Sequence, residues 1–359
     1  VEIPTAVAKA AMDSGVASKP IEDFAAYRAQ LAQRLDPTAG ALQRIYDEVK
    51  AKPKRVVFAE GEEERAIRAA INFRTAGLGT PVLIGREETV KDAMSRMGVD
   101  PQAIMDSGLE IHNARLSQDN KRYTDFLYGR LQRRGSLLRD CQRMVNQDRN
   151  VFAACMVASG DADAMVTGLT RSFAVAYHDV TQVIEPEPDS VVFGLTTIVT
   201  REQPVLIADT TVHEQPTPEE LAEIAVAAAA QARRMGHEPR LAFLSHSNFG
   251  NPDLPSARRV RDAVAVLDKR PVDFEYDGDM SADVALDADL MKRLYPFCRL
   301  SGPANVLIMP ALHSANIAAK LLQKLGGGTV IGPMLIGLPK SVQIVQMGTT
   351  VSELVNMAA

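Results

Sequence analysis

RVVFA (Arg55–Ala59), EGEEERAIRAAINFRTAG (Glu60–Gly77) and PVLIG (Pro81–Gly85) lie close together in that order, and the order decides the fold. The outer two are short, continuous apolar runs, the kind carried by a strand covered on both faces. Between them Ala66, Ala69, Ala70 and Phe73 recur at helical spacing, and Gly77 marks the stop. Strand, helix, strand at this spacing predicts parallel strands joined by a crossover helix. DAMVTG (Asp163–Gly168), VVFGLTTIV (Val191–Val199), VLIAD (Val205–Asp209), LAFLS (Leu241–Ser245) and NVLIMP (Asn305–Pro310) repeat the strand signal. The expectation is an α/β protein whose sheets are covered by helices.

Outside these runs the pattern is helical. Ala6, Val7, Ala10 and Ala11 form a stripe stopped by Gly15, and Phe24, Tyr27, Leu31 and Leu35 start another ahead of Pro37, so residues 1 to about 50 read as tail and connector. Thr217, Pro218 and Glu220 form a capping box with proline at the first helical position, and Gly236 ends that helix. Ser314 is expected to cap a helix whose Ile317, Leu321, Leu322 and Leu325 face inward until Gly326.

The 359 residues give room for roughly two domains. A net charge of -5 makes nucleic acid a poor default partner. Cys141, Cys155 and Cys298 lack CxxC spacing, which points to a reducing, cytoplasmic setting without structural zinc. No apolar run reaches membrane-span length, no signal peptide is evident, and the missing initiator Met reads as a cut from a larger protein.

Ligands of open α/β folds sit beyond the carboxyl ends of strands. That rule selects TGLTRS (Thr167–Ser172), SHSNFGNP (Ser245–Pro252), PALHSAN (Pro310–Asn316) and the glycine-bearing loop Gly332–Thr350. Hydroxyls, amides and glycines dominate these loops, which suits an anionic ligand held by backbone N–H groups, with Arg171 as fixed charge. The histidines, His112, His178, His213, His237, His246 and His313, lack metal spacing. Arg130, Arg133, Arg134, Arg139 and Arg143 read as a solvated helix face, and Asp277, Asp279, Asp283, Asp287 and Asp289 as a polar connector. Gly326–Gly328 lacks the Lys-Ser/Thr of a P-loop, and no GxGxxG occurs.

ADTTVHEQPTPEELAEIAVAAAAQARRMGHEPRLAFLSHSNFG (Ala208–Gly250) and ANVLIMPALHSANIAAKLLQKLGGGTVIGPMLIGLPKSVQ (Ala304–Gln343) resemble the phosphate acetyl/butyryl transferase family, over about Lys54–Glu353. TGLTRS and LSHSNFGNP look like the versions in the phosphotransacetylase-like C-terminal region of large NADP-dependent malic enzymes. PTAVAKAAMDSGVASKPI (Pro4–Ile21) resembles the end of their catalytic region and its linker, and this resemblance assigns residues 1–40 to that preceding region and linker. The resemblance implies two α/β domains, one interrupted by the other: residues 41–155 with 330–359, and residues 156–329, with coenzyme A in the cleft between them. Active family members carry Leu-Ser-Arg-Gly-Cys-Ser and a following Asp, to which transition-state stabilisation, phosphate binding and thiol activation are attributed. The corresponding stretch here is VQMGTTVSELV, with Gln346, Met347 and Glu353 at those positions, Pro310-Ala311-Leu312 for Pro-Asp-Leu, and Thr170-Arg171 where Cys or Ser precedes His.

These departures imply no catalytic residues and a regulatory module of a malic enzyme that oxidatively decarboxylates malate to pyruvate. It would bind acetyl-CoA, or a related CoA ester, as an allosteric inhibitor. The expected contacts are Thr170, Arg171, Ser172, Ser247, Asn248, Phe249, His313, Ser314, Asn316, Gln346 and Met347. NADP and a divalent metal belong to the catalytic region of the same polypeptide. No metal, membrane or nucleic acid is expected here, and a homo-oligomer is. A working phosphate acetyltransferase and a purely assembling module are the alternatives.

Overall fold

In the computed structural model the first helix, α1 (Glu2–Asp13), ends ahead of Gly15, whose φ is 74°. The structure describes residues 2–17, 19, 21, 23–24, 27, 45–188, 190–199, 204–325 and 329–359. Leu31, Leu35, Pro37 and Gly326–Gly328, which carried parts of the sequence reading, lie outside them.

β1 (Lys54–Phe58), α2 (Glu64–Thr75) and β2 (Gly79–Ile84) form the expected unit, with the two strands parallel. They belong to a five-stranded parallel sheet ordered β11-β4-β1-β2-β3, completed by β3 (Glu110–His112), β4 (Ala164–Thr167) and β11 (Ser341–Ile344). Alternate residues of β1 feed opposite cores. Val56 and Phe58 meet Ala66, Ile67, Ala70 and Phe73 of α2, Val90 and Met94 of α3 (Glu87–Arg96), and the closing helix of the chain. A short α4 (Pro101–Asp106) precedes β3. Val57 and Ala59 join the core on the other face, to which α5 (Asn120–Leu131), α6 (Leu138–Gln147), α7 (Arg149–Ala158) and α8 (Phe173–Val183) contribute.

The second sheet has six strands in the order β10-β5-β6-β9-β7-β8. β5 (Phe193–Val199) runs antiparallel to both β6 (Pro204–Ala208) and β10 (Thr329–Ile336). β6, β9 (Val306–Ile308), β7 (Arg240–Leu244) and β8 (Glu275–Met280) are parallel. α9 (Pro218–Arg234) and α10 (Pro255–Leu267) cover one face; α11 (Ala282–Leu286), α12 (Ala288–Leu294) and α13 (Leu312–Leu325) contribute to the core on the other. α9 starts with the capping box expected at Thr217 and Glu220. α14 (Val351–Ala358) returns to the first sheet.

Four expectations change. β4 and α8, beyond residue 155, pack with the first sheet, while β10, which spans residue 330, pairs within the second. EYDGDM, read as polar connector, is β8: the backbone N–H of Arg299 donates to Asp277 and that of Gly250 to Asp279, so these acids are buried inside a strand. Part of the loop expected over Gly332–Thr350 is the end of β10 and all of β11. Finally, α13 starts at Leu312, so Ser314 lies within it and donates to the Ala311 carbonyl at 2.8 Å rather than capping. Its Ile317, Leu321, Leu322 and Leu325 point outward, Leu325 being 80% exposed, and the contact with the sheet is made by Ala315 and Ala319. Helical periodicity identified the apolar stripe but could not say which side meets the protein.

The two crossings run side by side. Ser190 Oγ donates to the Gly337 carbonyl at 2.7 Å. Gly337 has φ 98°, and a Cβ there would lie 2.0 Å from the Val191 carbonyl oxygen. Gly337→Ala is expected to lower unfolding free energy by about 1–3 kcal/mol. Leu116→Ser, at a position 79% exposed, should change it by less than about 0.5 kcal/mol, both read from denaturant melts.

Candidate functional site

The carboxyl ends of β4 and β11 in the first domain face the N-terminal turns of α13 in the second across a cavity of about 670 Å³. Arg171, Ser172, Phe173 and the segment Ile344–Gly348 line one wall; Thr211, Leu312, His313, Asn316, Ile317, Lys320 and Pro333 line the other. A second cavity of about 420 Å³ continues it, sharing Lys320, Pro333, Val345, Gln346 and Gly348 and extending to Lys324, Glu353 and Asn356. The combined cleft suits an elongated ligand, with apolar Phe173, Leu312, Ile317 and Met347 in one part and two lysines in the other.

Two buried carboxylates shape its walls. Glu60, two residues beyond β1, accepts the backbone N–H of Gly168 at 2.9 Å, of Leu169 at 2.5 Å and of Thr170 at 2.8 Å, as well as the Thr170 hydroxyl. Asp209, just beyond β6, accepts the N–H groups of Gly194, Thr211, Val212 and His213 and the His213 Nδ1 proton. The N–H groups of the TGLTRS loop therefore meet an anion of the chain itself, Glu60, and Asp209 does the same in a segment the sequence reading did not select.

Of the expected contacts, Arg171, Ser172, His313, Asn316, Gln346 and Met347 line the main cavity. Thr170 is turned to Glu60, and Ser314 to its own helix. Ser247, Asn248 and Phe249 are not among the residues lining the cleft. Ser247 is buried, Asn248 accepts from Ser281, and Phe249 packs at 5.2 Å from Tyr295 and 4.9 Å from Phe297, so this loop completes the far core rather than the cleft. Lys320, Lys324, Thr211 and Phe173 were missed. The polar spacing His313, Asn316, Lys320, Lys324 was the available signal, since it places all four along one side of a helix.

Arg171 is not a free charge. Its Nη1 donates to Asp148 at 2.5 Å and Asp179 at 2.7 Å, while Asp179 also takes a hydrogen bond from Asn150, which accepts from Thr167. Met347 projects into the cleft and is 57% exposed. The neighbouring guanidinium of Arg65 donates to the carbonyls of Met347 at 2.7 Å and Thr349 at 2.9 Å, fixing the loop. Glu353 accepts from the Thr350 backbone at 2.7 Å and hydroxyl at 2.9 Å, the capping box of α14. Ser172 stands at the N-cap of α8 without a side-chain cap bond, so the first-turn N–H groups receive no acceptor from it.

The hydrogen bond that the His213 ring donates to Asp209 raises its pKa above the ordinary value, against burial, which lowers it. A raised histidine contributes stability that is complete below its unfolded value and is lost as pH rises through the folded one. His213→Gln should therefore destabilise the protein more at about pH 5.5 than at about pH 8.5, in denaturant melts that bracket the ordinary histidine value.

The family model for phosphate acetyl/butaryl transferase matches residues 41–359. The chain is 57% identical to an NADP-dependent malic enzyme of Rhizobium meliloti (strain 1021) over 99% of its own length and 46% of that protein. It is 44% identical to a probable NADP-dependent malic enzyme of Rickettsia prowazekii (strain Madrid E), over 99% of this chain and 47% of that one. The chain thus spans about half the length of these curated relatives. Among solved structures, a phosphotransacetylase from Streptococcus pyogenes superposes with a TM-score of 0.82 at 29% identity, covering 89% of this chain and 96% of that one. The chain therefore belongs to the phosphate acetyl/butaryl transferase family, in the form found within NADP-dependent malic enzymes.

Proposed function

We propose that the chain is the regulatory module of an NADP-dependent malic enzyme, holding acetyl-CoA between its two domains and inhibiting malate decarboxylation elsewhere in the same polypeptide. The observation that carries this reading is the chemistry around Gln346. Acyl transfer to phosphate needs a cation for a multiply charged anion and a donor for the developing oxyanion. Met347 supplies neither, Arg171 is held by two carboxylates and Arg65 by two carbonyls, and the lysines of the cleft, Lys320 and Lys324, stand on the other wall, on α13. One oxygen of Glu353 is taken by the backbone and hydroxyl of Thr350.

Binding needs less. Lys320 and Lys324, four residues apart on α13, offer cations to the ligand's phosphates, and Phe173, Leu312, Ile317 and Met347 offer apolar contact to its thioester arm. The cleft walls belong to different domains, so a bound ligand favours one interdomain angle. A coupling of about 1–3 kcal/mol between that angle and the catalytic region is of the size regulation uses. The outward apolar stripe on α13 supports a further role in a homo-oligomer. NADP and the divalent metal would be held by the other half of the protein.

Calorimetry with the purified chain should show acetyl-CoA binding, and acetyl phosphate should not be consumed in the presence of CoA. Lys320→Ala should weaken binding about tenfold, or about 1.4 kcal/mol. In the longer enzyme, acetyl-CoA should slow malate oxidation. Rapid CoA-dependent consumption of acetyl phosphate would establish a working transferase instead, and the absence of binding heat at millimolar ligand would end the regulatory reading.

A further inference from the structure

We infer that the first domain carries a second anion site, separate from the interdomain cleft, that takes a phosphate group. A cavity of about 220 Å³ opens where β2 and β3 end. Its walls come from the Gly85-Arg86 turn after β2, the Asn113–Arg115 turn after β3, and the α6–α7 junction with Asn146 and Arg149. It therefore occupies the position beyond parallel strands where α/β folds collect ligands.

Three guanidinium groups, Arg86, Arg115 and Arg149, surround this space with one carboxylate, Glu62, among them. Glu62 is shared: Arg86 Nε lies 3.1 Å from one of its oxygens and Arg149 Nη2 3.1 Å from the other. Burial pushes the Glu62 carboxyl up, but Arg86 and Arg149 outweigh it and hold the group below its ordinary value. One carboxylate against three cations leaves two positive charges unbalanced. Arg115 makes no ion pair with any described residue, and its backbone N–H is already bound to Asn113 Oδ1 at 3.0 Å. The Asn146 Oδ1 atom is buried with no hydrogen-bond partner. Guanidinium forks match the oxygens of a phosphate, and the unused amide oxygen matches a hydroxyl donated beside it.

The site is linked to the cleft through the start of α7. Asp148 is the N-cap residue and holds Arg171, while Arg149, the next residue, holds Glu62. The inference does not rest on the acetyl-CoA reading, and either can fail without the other.

The test is calorimetric titration of inorganic phosphate and of ribose 5-phosphate into the whole chain at constant ionic strength, with thermal melts alongside. The variants are Arg115→Gln and Lys320→Ala. The wild type should bind at least one of the two, and Arg115→Gln should weaken that binding about tenfold or more, with acetyl-CoA affinity unchanged. Because Arg115 is exposed and unpaired with the described residues, its variant should melt like the wild type without phosphate but lose the phosphate-dependent rise. Tighter binding of the sugar phosphate would identify an ester as the ligand; equal binding would identify the free ion. No binding of either at millimolar concentration, equal affinity in Arg115→Gln, or loss of phosphate binding in Lys320→Ala instead would overturn the site.

Discussion

A carboxylate without water needs donors, and Glu60 finds them in the backbone of Gly168, Leu169 and Thr170. This bond set ties the end of β1 to the turn after β4, and with it the placement of Arg171, Ser172 and the start of α8. Asp209 does the same for the second sheet, collecting N–H groups from Gly194 to His213 and so fixing Thr211 at the cleft. Each loop is a cradle already filled by an internal anion. The wall positions of the cleft are therefore set before any ligand arrives, which lowers the ordering cost of binding.

Within that fixed frame, the side chains set what the cleft presents. The β11 strand delivers Gln346 and Met347 to the cleft in the same way for any residue type, because its register against β4 is set by main-chain bonds. Met347 is exposed, so a change of side chain there would leave the scaffold undisturbed. The arginines nearby serve the architecture: Arg65 closes the Met347–Thr349 turn, and Arg171 joins the start of α7 to the body of α8 through Asp148 and Asp179.

The sequence made most of this visible where burial is symmetric. Runs such as RVVFA, VLIAD and LAFLS are covered on both faces, so their strands were legible, and the Thr217 box marked α9 to the residue. β8 was not legible, because Asp277 and Asp279 look like surface acids until Arg299 and Gly250 are seen to satisfy them. The stripe on α13 was legible as a stripe but not as to its direction, since Ala315 and Ala319 carry too little apolar area to compete with three leucines in any periodicity argument. The cleft loops were found, yet the partners of Arg171 lie 23 and 8 residues away in the chain, beyond what spacing reveals. The SHSNFG loop follows the same strand-end rule as the others, and only packing against Tyr295 and Phe297 shows that it serves the far core.

The neighbouring passages at Ser190 and Gly337 work like two pins on one edge of a door. Strands β5 and β10 begin and end beside each other there, with Phe193 opposite Ile336, so the two halves are not held by a single swivelling thread. Because Ser190 Oγ ties one passage to the other, a substitution at either is felt by both.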